Sequence, residues 1–528
     1  MERKTRKQYV TLNILAGSVS QVISMILQLI GRTIFINSLG IEYQGINAMF
    51  YNVLMVLSLA DLGFGTAIIY SMYKPLSEND TDTVVALMTY YKKIYHRLAF
   101  VVAAIGIGML PLLPFVVNLN RKIPYLSIYY LLYVTNMVIS YFMSYKYTII
   151  TADQKSYLIT VYSLIGSILQ TIVQIIVLLV FKNFMLYLIV FILRTLLVNW
   201  FQSNKAKKIY PYIQGSRELD PAMKKSIFEN VKSMFLYKLG GVLLNNTDNF
   251  IISILVGTVY VGFYSNYMTI IVAIYSFTDI IFDSVTSGIG NLNASEDRDR
   301  KYEIFNVLNF IVFWIMTFCS VCFLVLFNDF ITLWVGEEFI FGFLTVSVIV
   351  LNFFMPGTIT SVSIYRDTTG MFRQTKYVFL ITAFINLVLS IILGKMYGLF
   401  GILLATAIAR MLTNMWYEPY VLYKNQFMKS PMVYFKRQAV YWIVAVSCCV
   451  GTYLMSKTIT TVSILNLIIK LIMCIIVPNL IIFGLFFRSK EFEYVNEQII
   501  SKIKNKLKAI AIQRKRNSYE IEQEDLHD

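Results

Sequence analysis

Histidine is almost missing from this chain: there are two in 528 residues. His96 stands at the start of an apolar helix and His527 in the tail, so neither a histidine metal site nor a histidine acid–base pair is on offer. No Gly-x-x-x-x-Gly-Lys-[Ser/Thr] segment occurs, which excludes a phosphate-loop ATPase. Cysteine is scarce as well. Cys319, Cys322, Cys448, Cys449 and Cys474 all fall inside apolar runs. The Cys319–Cys322 pair has no second pair and no histidine beside it, so the expectation is buried free thiols and no metal or redox site. Long polar stretches are lacking too. No loop can fold as a domain, and neither the large extracytoplasmic loop nor the cytoplasmic acidic metal motif usual in membrane polymerases and glycosyltransferases is present. An enzyme is therefore not expected.

What the chain has in excess is apolar surface. It is 57% hydrophobic with a mean hydropathy of +0.64, the profile of an all-α integral membrane protein. Apolar runs of about 20 residues suffice to cross a bilayer, and about fourteen are predicted. They begin near Leu12, Ile46, Leu98, Leu126, Tyr157, Phe184, Met234, Val261, Phe305, Ile340, Tyr377, Leu399, Gln438 and Ile464. The basic start, Met1 to Lys7, precedes a run too long for a signal peptide, so it reads as an uncleaved first span.

The net charge of +16 does not require nucleic acid, because the cations sit in short loops between spans. On one side of the membrane the loops hold only Arg121, Lys122, Lys182, Lys395 and Lys457, whereas the other loops and both tails hold most of the rest. The positive-inside rule then puts both termini in the cytoplasm. Five cations lie within spans: Arg32, Arg194, Lys238, Arg410 and Lys470. Arg194 and Arg410 are near cytoplasmic ends, where they can snorkel to the interface.

The expected organisation is an N-terminal lobe over 1–202, a cytoplasmic linker over 203–232, a second lobe over 233–424, two extra helices over 425–487 and a tail over 488–528. The tail places Phe492, Val495, Ile499, Ile503, Leu507 and Ile510 at helical spacing among lysines. It reads either as an amphipathic helix on the anionic inner leaflet or as a solvated basic tail.

The first span carries a polar stripe: Asn13, Gly17, Gln21, Ser24, Gln28 and Arg32 recur every three or four residues on one helical face. Packing through small and polar residues explains Gly17 and Ser24. Arg32 is better explained by a wet cavity, since an intramembrane cation is costly and usually functional. Span seven has its own stripe, Lys238, Gly241, Asn245, Asp248 and Asn249; span five adds Gln170 and Gln174, and span eight Asn266, Asp279 and Asp283. A Gly-x-x-Tyr-x-Gly hairpin occurs twice, at Gly40, Tyr43, Gly45 and at Gly257, Tyr260, Gly262, each followed by an aspartate in the next helix, Asp61 or Asp279. The copies are six spans apart, so they share an orientation, as in a parallel repeat about an axis along the membrane normal. Two six-helix lobes around a central cleft follow, with both stripes lining it and Arg32 opposite Asn249.

At these residues the chain resembles the polysaccharide-exporter, Wzx-type family of lipid-linked oligosaccharide flippases. The stretches are RTIFINSLGIEYQGINAMF with LSLADLGFGTAIIYSMYKPLSEND, LNNTDNFIISILVG with VGFYSNY, SGIGNLNASED, YRDTTGMFRQTKY, and GLFGILLATAIA with WYEPYVLYK. They cover most of the chain through span twelve. The resemblance implies a superfamily that includes multidrug extruders and lipid II flippases, a two-lobed fold and alternating access. The matching expectation is a flippase of the cytoplasmic membrane that moves undecaprenyl-pyrophosphate-linked repeat units for a surface polysaccharide. Membrane lipids, a polysaccharide polymerase and a chain-length regulator are its expected partners, with no nucleic acid. Arg32 suits bidentate capture of phosphate oxygens, with Lys238 as a second charge. Gln28, Gln170, Gln174, Asn245 and Asn249 suit sugar hydroxyls. No cofactor is expected; Asp248, Asp61 or Asp279 is a candidate to carry a coupling proton or sodium ion. The alternative is a cation-coupled drug extruder of the same fold.

Overall fold

The computed structural model describes residues 6–61, 63–119, 123–295, 297–375 and 377–497. Every regular element among them is helical. The long helices are α1 (Arg6–Leu39), α2 (Ile41–Leu57), α3 (Phe64–Ser77), α4 (Thr81–Gly108), α5 (Leu126–Ser144), α6 (Ser156–Phe181) and α7 (Phe184–Ile209). They continue as α8 (Pro221–Leu255), α9 (Thr258–Ser295), α10 (Arg298–Trp334), α11 (Phe343–Thr358), α12 (Val378–Leu412), α13 (Pro431–Ser456) and α14 (Ile464–Phe486), with shorter turns between.

Eleven helical segments are long and apolar enough to cross a membrane, fewer than the spans predicted. The difference has identifiable causes. Span two is broken by a tight turn at Ser58–Asp61 into α2 and α3, each too short alone, with Gly63 at φ +85° restarting the helix. Span seven is the helix α8, whose polar stripe of Asn245, Asn246, Asp248 and Asn249 lowers the hydropathy of its membrane-depth part. Spans eleven and twelve follow each other without a loop and so count as one segment, but Gly398, at φ +60°, is non-helical, and two helices meet where the sequence expects span twelve to begin.

Local chemistry sets where several helices start. Asp80 accepts from the Thr83 amide at 3.0 Å to begin α4, and Asn183 accepts from Leu186 at 3.1 Å to begin α7. Asp220 and Ser430 each precede a proline at the first helical position of α8 and α13.

Two compact units emerge. The first comprises the described parts of Met1–Ser287, Ile331–Asn352 and Phe372–Tyr417. Its core is built on Phe35, Ile46, Met49, Phe50, Ile68, Leu87, Tyr130 and Ile149, and α8 packs along α12 just as α1 packs along α6. The two Gly-x-x-Tyr-x-Gly hairpins meet within this unit. A Cβ placed on Gly45 would collide with the Thr258 carbonyl oxygen, and one on Gly262 would lie 3.1 Å from the Gly45 nitrogen. Both hairpins are therefore at the same end of the helices, as a parallel repeat requires. The segment after α4 ties onto this contact: the Thr258 amide donates to the Asn118 carbonyl at 2.8 Å, and the Asn118 amide donates to the Thr258 hydroxyl at 2.9 Å.

The second unit comprises Gly288–Phe330, Phe353–Met371 and the described part of Glu418–Asp528. Aromatic packing dominates it, with Phe313 stacked on Tyr441 at 4.2 Å and Phe323 on Phe327 at 4.5 Å. Lys470 pairs with Asp329 at 2.5 Å, and Arg366 with Glu418 at 2.8 Å. All five cysteines are free thiols; Cys448 and Cys474 are buried and the other three partly buried. Of the predicted tail helix the described part ends at Glu497, with Lys490–Val495 helical; residues 498–528, like Arg121 and Lys122, lie outside the described residues.

Candidate functional site

The polar stripe of α1 faces α6. At its start Asn13 donates to the Gln154 carbonyl at 2.9 Å and accepts from the Tyr157 amide at 2.8 Å, pinning α1 to the loop that opens α6. Three turns on, the helices part around a cavity of about 280 Å³. Ser24, Gln28 and Arg32 of α1 line it, with Gln44 and Asn47 of α2, Ser167, Gln170, Thr171 and Gln174 of α6, Tyr187 of α7 and Thr269 of α9. Leu27, Phe35, Ile175 and Leu178 supply the apolar part of the wall.

Hydrogen bonds fix the orientation of this lining. The Arg32 Nη1 donates to the Ser265 carbonyl at 2.5 Å and to the Asn266 side-chain oxygen at 3.1 Å. Gln170 donates to Gln174 at 3.1 Å, and Gln174 donates to the Tyr187 carbonyl at 3.1 Å, a relay of amides pointing one way. Asn47 accepts from the Tyr133 hydroxyl. The cavity thus carries one guanidinium among amides and hydroxyls, and no carboxylate is among its lining residues. Such a wall attracts an anion and offers many partners to hydroxyl groups.

Arg32, Gln28, Gln170 and Gln174 are brought together at this cavity. The other singled-out residues go elsewhere. Asn249 donates to the Asn52 side chain at 3.1 Å and does not line the cavity. Asp248 is turned toward α12: it accepts from Thr406 at 2.6 Å and from Asn386 at 3.3 Å, and Arg410 is within electrostatic reach. Span seven's stripe therefore packs against α12 at this point. Asp61 sits in the break between α2 and α3, close to the Tyr91 and Tyr95 hydroxyls around Gly65. Asp279 is exposed on α9. The side chains of Lys238, Asn245 and Asp283 lie outside those described.

Two expectations change. Arg194 does not snorkel; it donates to the Ser163 carbonyl at 3.3 Å and to the Ser167 hydroxyl at 3.2 Å on α6. Arg410 is 8% exposed and faces Asp248, Tyr264 and Tyr275. In both cases a partner inside the helical packing replaces the interface. Sequence reading passed over Gln44, Asn47, Ser167, Tyr187 and Thr269. A signal existed for three of them: Gln44 and Asn47 stand three apart in an otherwise apolar helix, and Ser167 continues the Gln170–Gln174 stripe.

No protein-family model matches the chain, and no curated protein matches its sequence. Solved structures do match. A lipid II flippase, MurJ, in an inward closed conformation superposes with a TM-score of 0.65 at 16% identity, over 89% of this chain and 99% of its own. An inward-facing multidrug resistance MATE family transporter of the MOP superfamily gives 0.60 at 14% identity, over 76% and 95%. A mutant of the Vibrio cholerae MATE transporter VcmN gives 0.57 at 13%, over 80% and 98%. The chain is a multi-pass helical membrane protein with the fold that these transporters share.

Proposed function

We propose that this chain is a flippase that carries undecaprenyl-pyrophosphate-linked oligosaccharides across the cytoplasmic membrane, by alternating access of two six-helix lobes, for a surface polysaccharide such as a capsule, O-antigen or exopolysaccharide. The observation that carries the reading is the lining of the cavity: one guanidinium and a wall of amides and hydroxyls, with no carboxylate among them. A pyrophosphate matches the guanidinium, and sugar hydroxyls match Gln28, Gln170 and Gln174. The same lining weighs against a cation-coupled drug extruder, which needs acids and aromatic faces for cationic amphiphiles.

Arg32 has two tasks in this reading. Among the described residues, Nη1 alone is engaged, on Ser265 and Asn266. The other nitrogens are left for an anion, which binds a guanidinium more strongly than a neutral carbonyl does. Energy comes from an ion gradient or from the substrate gradient, with Asp248, Asp61 or Asp279 carrying a proton or sodium ion. A polymerase and a chain-length regulator consume the product on the far side.

The test is transport by the purified chain in sealed vesicles. A fluorescent lipid-linked oligosaccharide should become accessible to a membrane-impermeant quencher in the opposite leaflet. Movement of a cationic dye under an imposed ion gradient, with no movement of the lipid-linked sugar, would replace this reading with the drug extruder.

A further inference from the structure

We infer that the cytoplasmic ends of α4, α5 and α7 form a binding site for a membrane lipid whose headgroup carries two phosphates, separate from the Arg32 cavity. On α4, Lys92, His96 and Phe100 are spaced i, i+4, i+8 and so share one face. Lys146 stands in the tight turn Tyr145–Tyr147 that follows α5, and Lys207 in the last turn of α7. Lys146 is within electrostatic reach of both Lys92 and Lys207, and His96 of Lys92 and Lys146. Three helices therefore bring three lysines to one place, two of them exposed and Lys146 half-buried.

Like charges repel, and acids usually intervene. Here acids of the same unit are engaged by other cations: Asp153 by Lys155 at 2.6 Å, Asp82 by Arg217 at 2.6 Å and Glu218 by Lys224 at 3.2 Å. Among the described residues no ion pair engages Lys92, Lys146 or Lys207, which leaves their charge for an anion. Three cations match a diphosphate or a pair of phosphates better than a single phosphodiester.

Below the lysines runs an aromatic column. His96 lies 5.1 Å from Phe142 and 5.6 Å from Tyr145, and Phe100 lies 5.6 Å from Phe142. The Lys146 Nζ is 5.7 Å from the centre of the Tyr145 ring. Phe100 is 67% exposed on a membrane-spanning helix, so it faces lipid chains. Lys92 comes before the continuous apolar run of α4, which starts near Leu98, so the cations are at headgroup depth and the rings at chain depth. Cations at cytoplasmic helix ends are general; three converging above a ring column that ends in the exposed Phe100 make a site for both halves of an anionic lipid.

Native mass spectrometry of the full chain tests this, with cardiolipin and undecaprenyl diphosphate as two-phosphate probes and phosphatidylglycerol as the one-phosphate control. The same series is run on the Arg32→Ala chain, which removes the cavity's cation. Retention of a two-phosphate lipid above phosphatidylglycerol should persist in Arg32→Ala. It should fall about fivefold for each lysine removed in Lys92→Ala, Lys146→Ala and Lys207→Ala, and be kept by the three Lys→Arg variants. Preference for cardiolipin or for undecaprenyl diphosphate then tells a glycerophospholipid from a polyprenyl carrier. Equal retention of phosphatidylglycerol, or undiminished retention in the alanine variants, overturns the inference. If the alanine variants do not fold, loss of retention in folded Lys→Gln variants supports it and unchanged retention there overturns it.

Discussion

The two compact units treat several of their helix cations in opposite ways, Arg410 of the first unit, which faces Asp248, being an exception. In the second, Lys470 meets Asp329 and Arg366 meets Glu418, each at salt-bridge distance. In the first, Arg32 meets a backbone carbonyl and an amide, and Arg194 meets a carbonyl and a hydroxyl. A cation neutralised by an acid has spent its field locally, and its role is to hold helices in register. A cation met only by neutral oxygens keeps its field for something that arrives. In the flippase reading, the difference between Lys470 and Arg32 is one between a structural charge and a charge kept for substrate.

The largest effect is expected where that distinction is broken on the structural side. Lys470→Met leaves Asp329 without its partner and should cost about 3 kcal/mol of stability. The double change Lys470→Met with Asp329→Leu should recover most of it. Thermal unfolding in detergent reads both, and transport per folded molecule should stay near the parent value. If the single variant is as stable as the parent, the pair is not structural.

On the working side, Arg32→Ala should lower transport by about thirtyfold, which corresponds to about 2 kcal/mol for hydrogen bonds to a charged group, with protein levels near normal. Arg32→Lys keeps the charge and loses the fork, so it should fall between. A variant made at normal levels and transporting normally would make Arg32 peripheral. A fall in protein level alone would make it a structural tie to Ser265 and Asn266.

A smaller effect is expected at the hairpin contact. A methyl group on Gly45 collides with the Thr258 carbonyl oxygen, whereas one on Gly262 meets the nearest backbone atoms at 3.1 Å. Gly45→Ala should therefore cost about 1–3 kcal/mol of strain or drive the two hairpins apart, and Gly262→Ala should do less. Spin-label distances between Tyr43 and Tyr260, each changed to cysteine, would show a longer separation for the first; identical distances and stabilities in both variants would contradict the close contact. The smallest effect belongs to Gln174→Leu. It removes one link of the amide relay and should weaken substrate binding by about 1 kcal/mol, read as a shift in half-saturating substrate at unchanged maximal rate.

Much of the fold was legible because a bilayer imposes length and polarity on each segment. The stripes of α1 and α6 were legible for the same reason: a polar residue at every turn of an apolar helix is visible without its neighbours. Tyr187 and Thr269 were not. Their helices are apolar on several faces, so periodicity does not fix which side meets α1, and only packing sets that rotation. The break at Ser58–Asp61 escaped because it interrupts a helix without interrupting its apolar run, whereas the interruption at Gly398 falls where span twelve is expected to begin. Asp248 illustrates the remaining gap: its partners Asn386 and Thr406 are more than a hundred residues away in sequence.

The hairpin contact has a thermodynamic side. Main chain touches main chain where Gly45 meets Thr258 and Gly262 meets Gly45. Glycines bring almost no apolar side-chain area to such a contact, and hydrophobic cohesion scales with that area. At this backbone contact the two repeat copies therefore gain little from the glycines themselves. In the flippase reading, separating the two copies here would expose little glycine side-chain area.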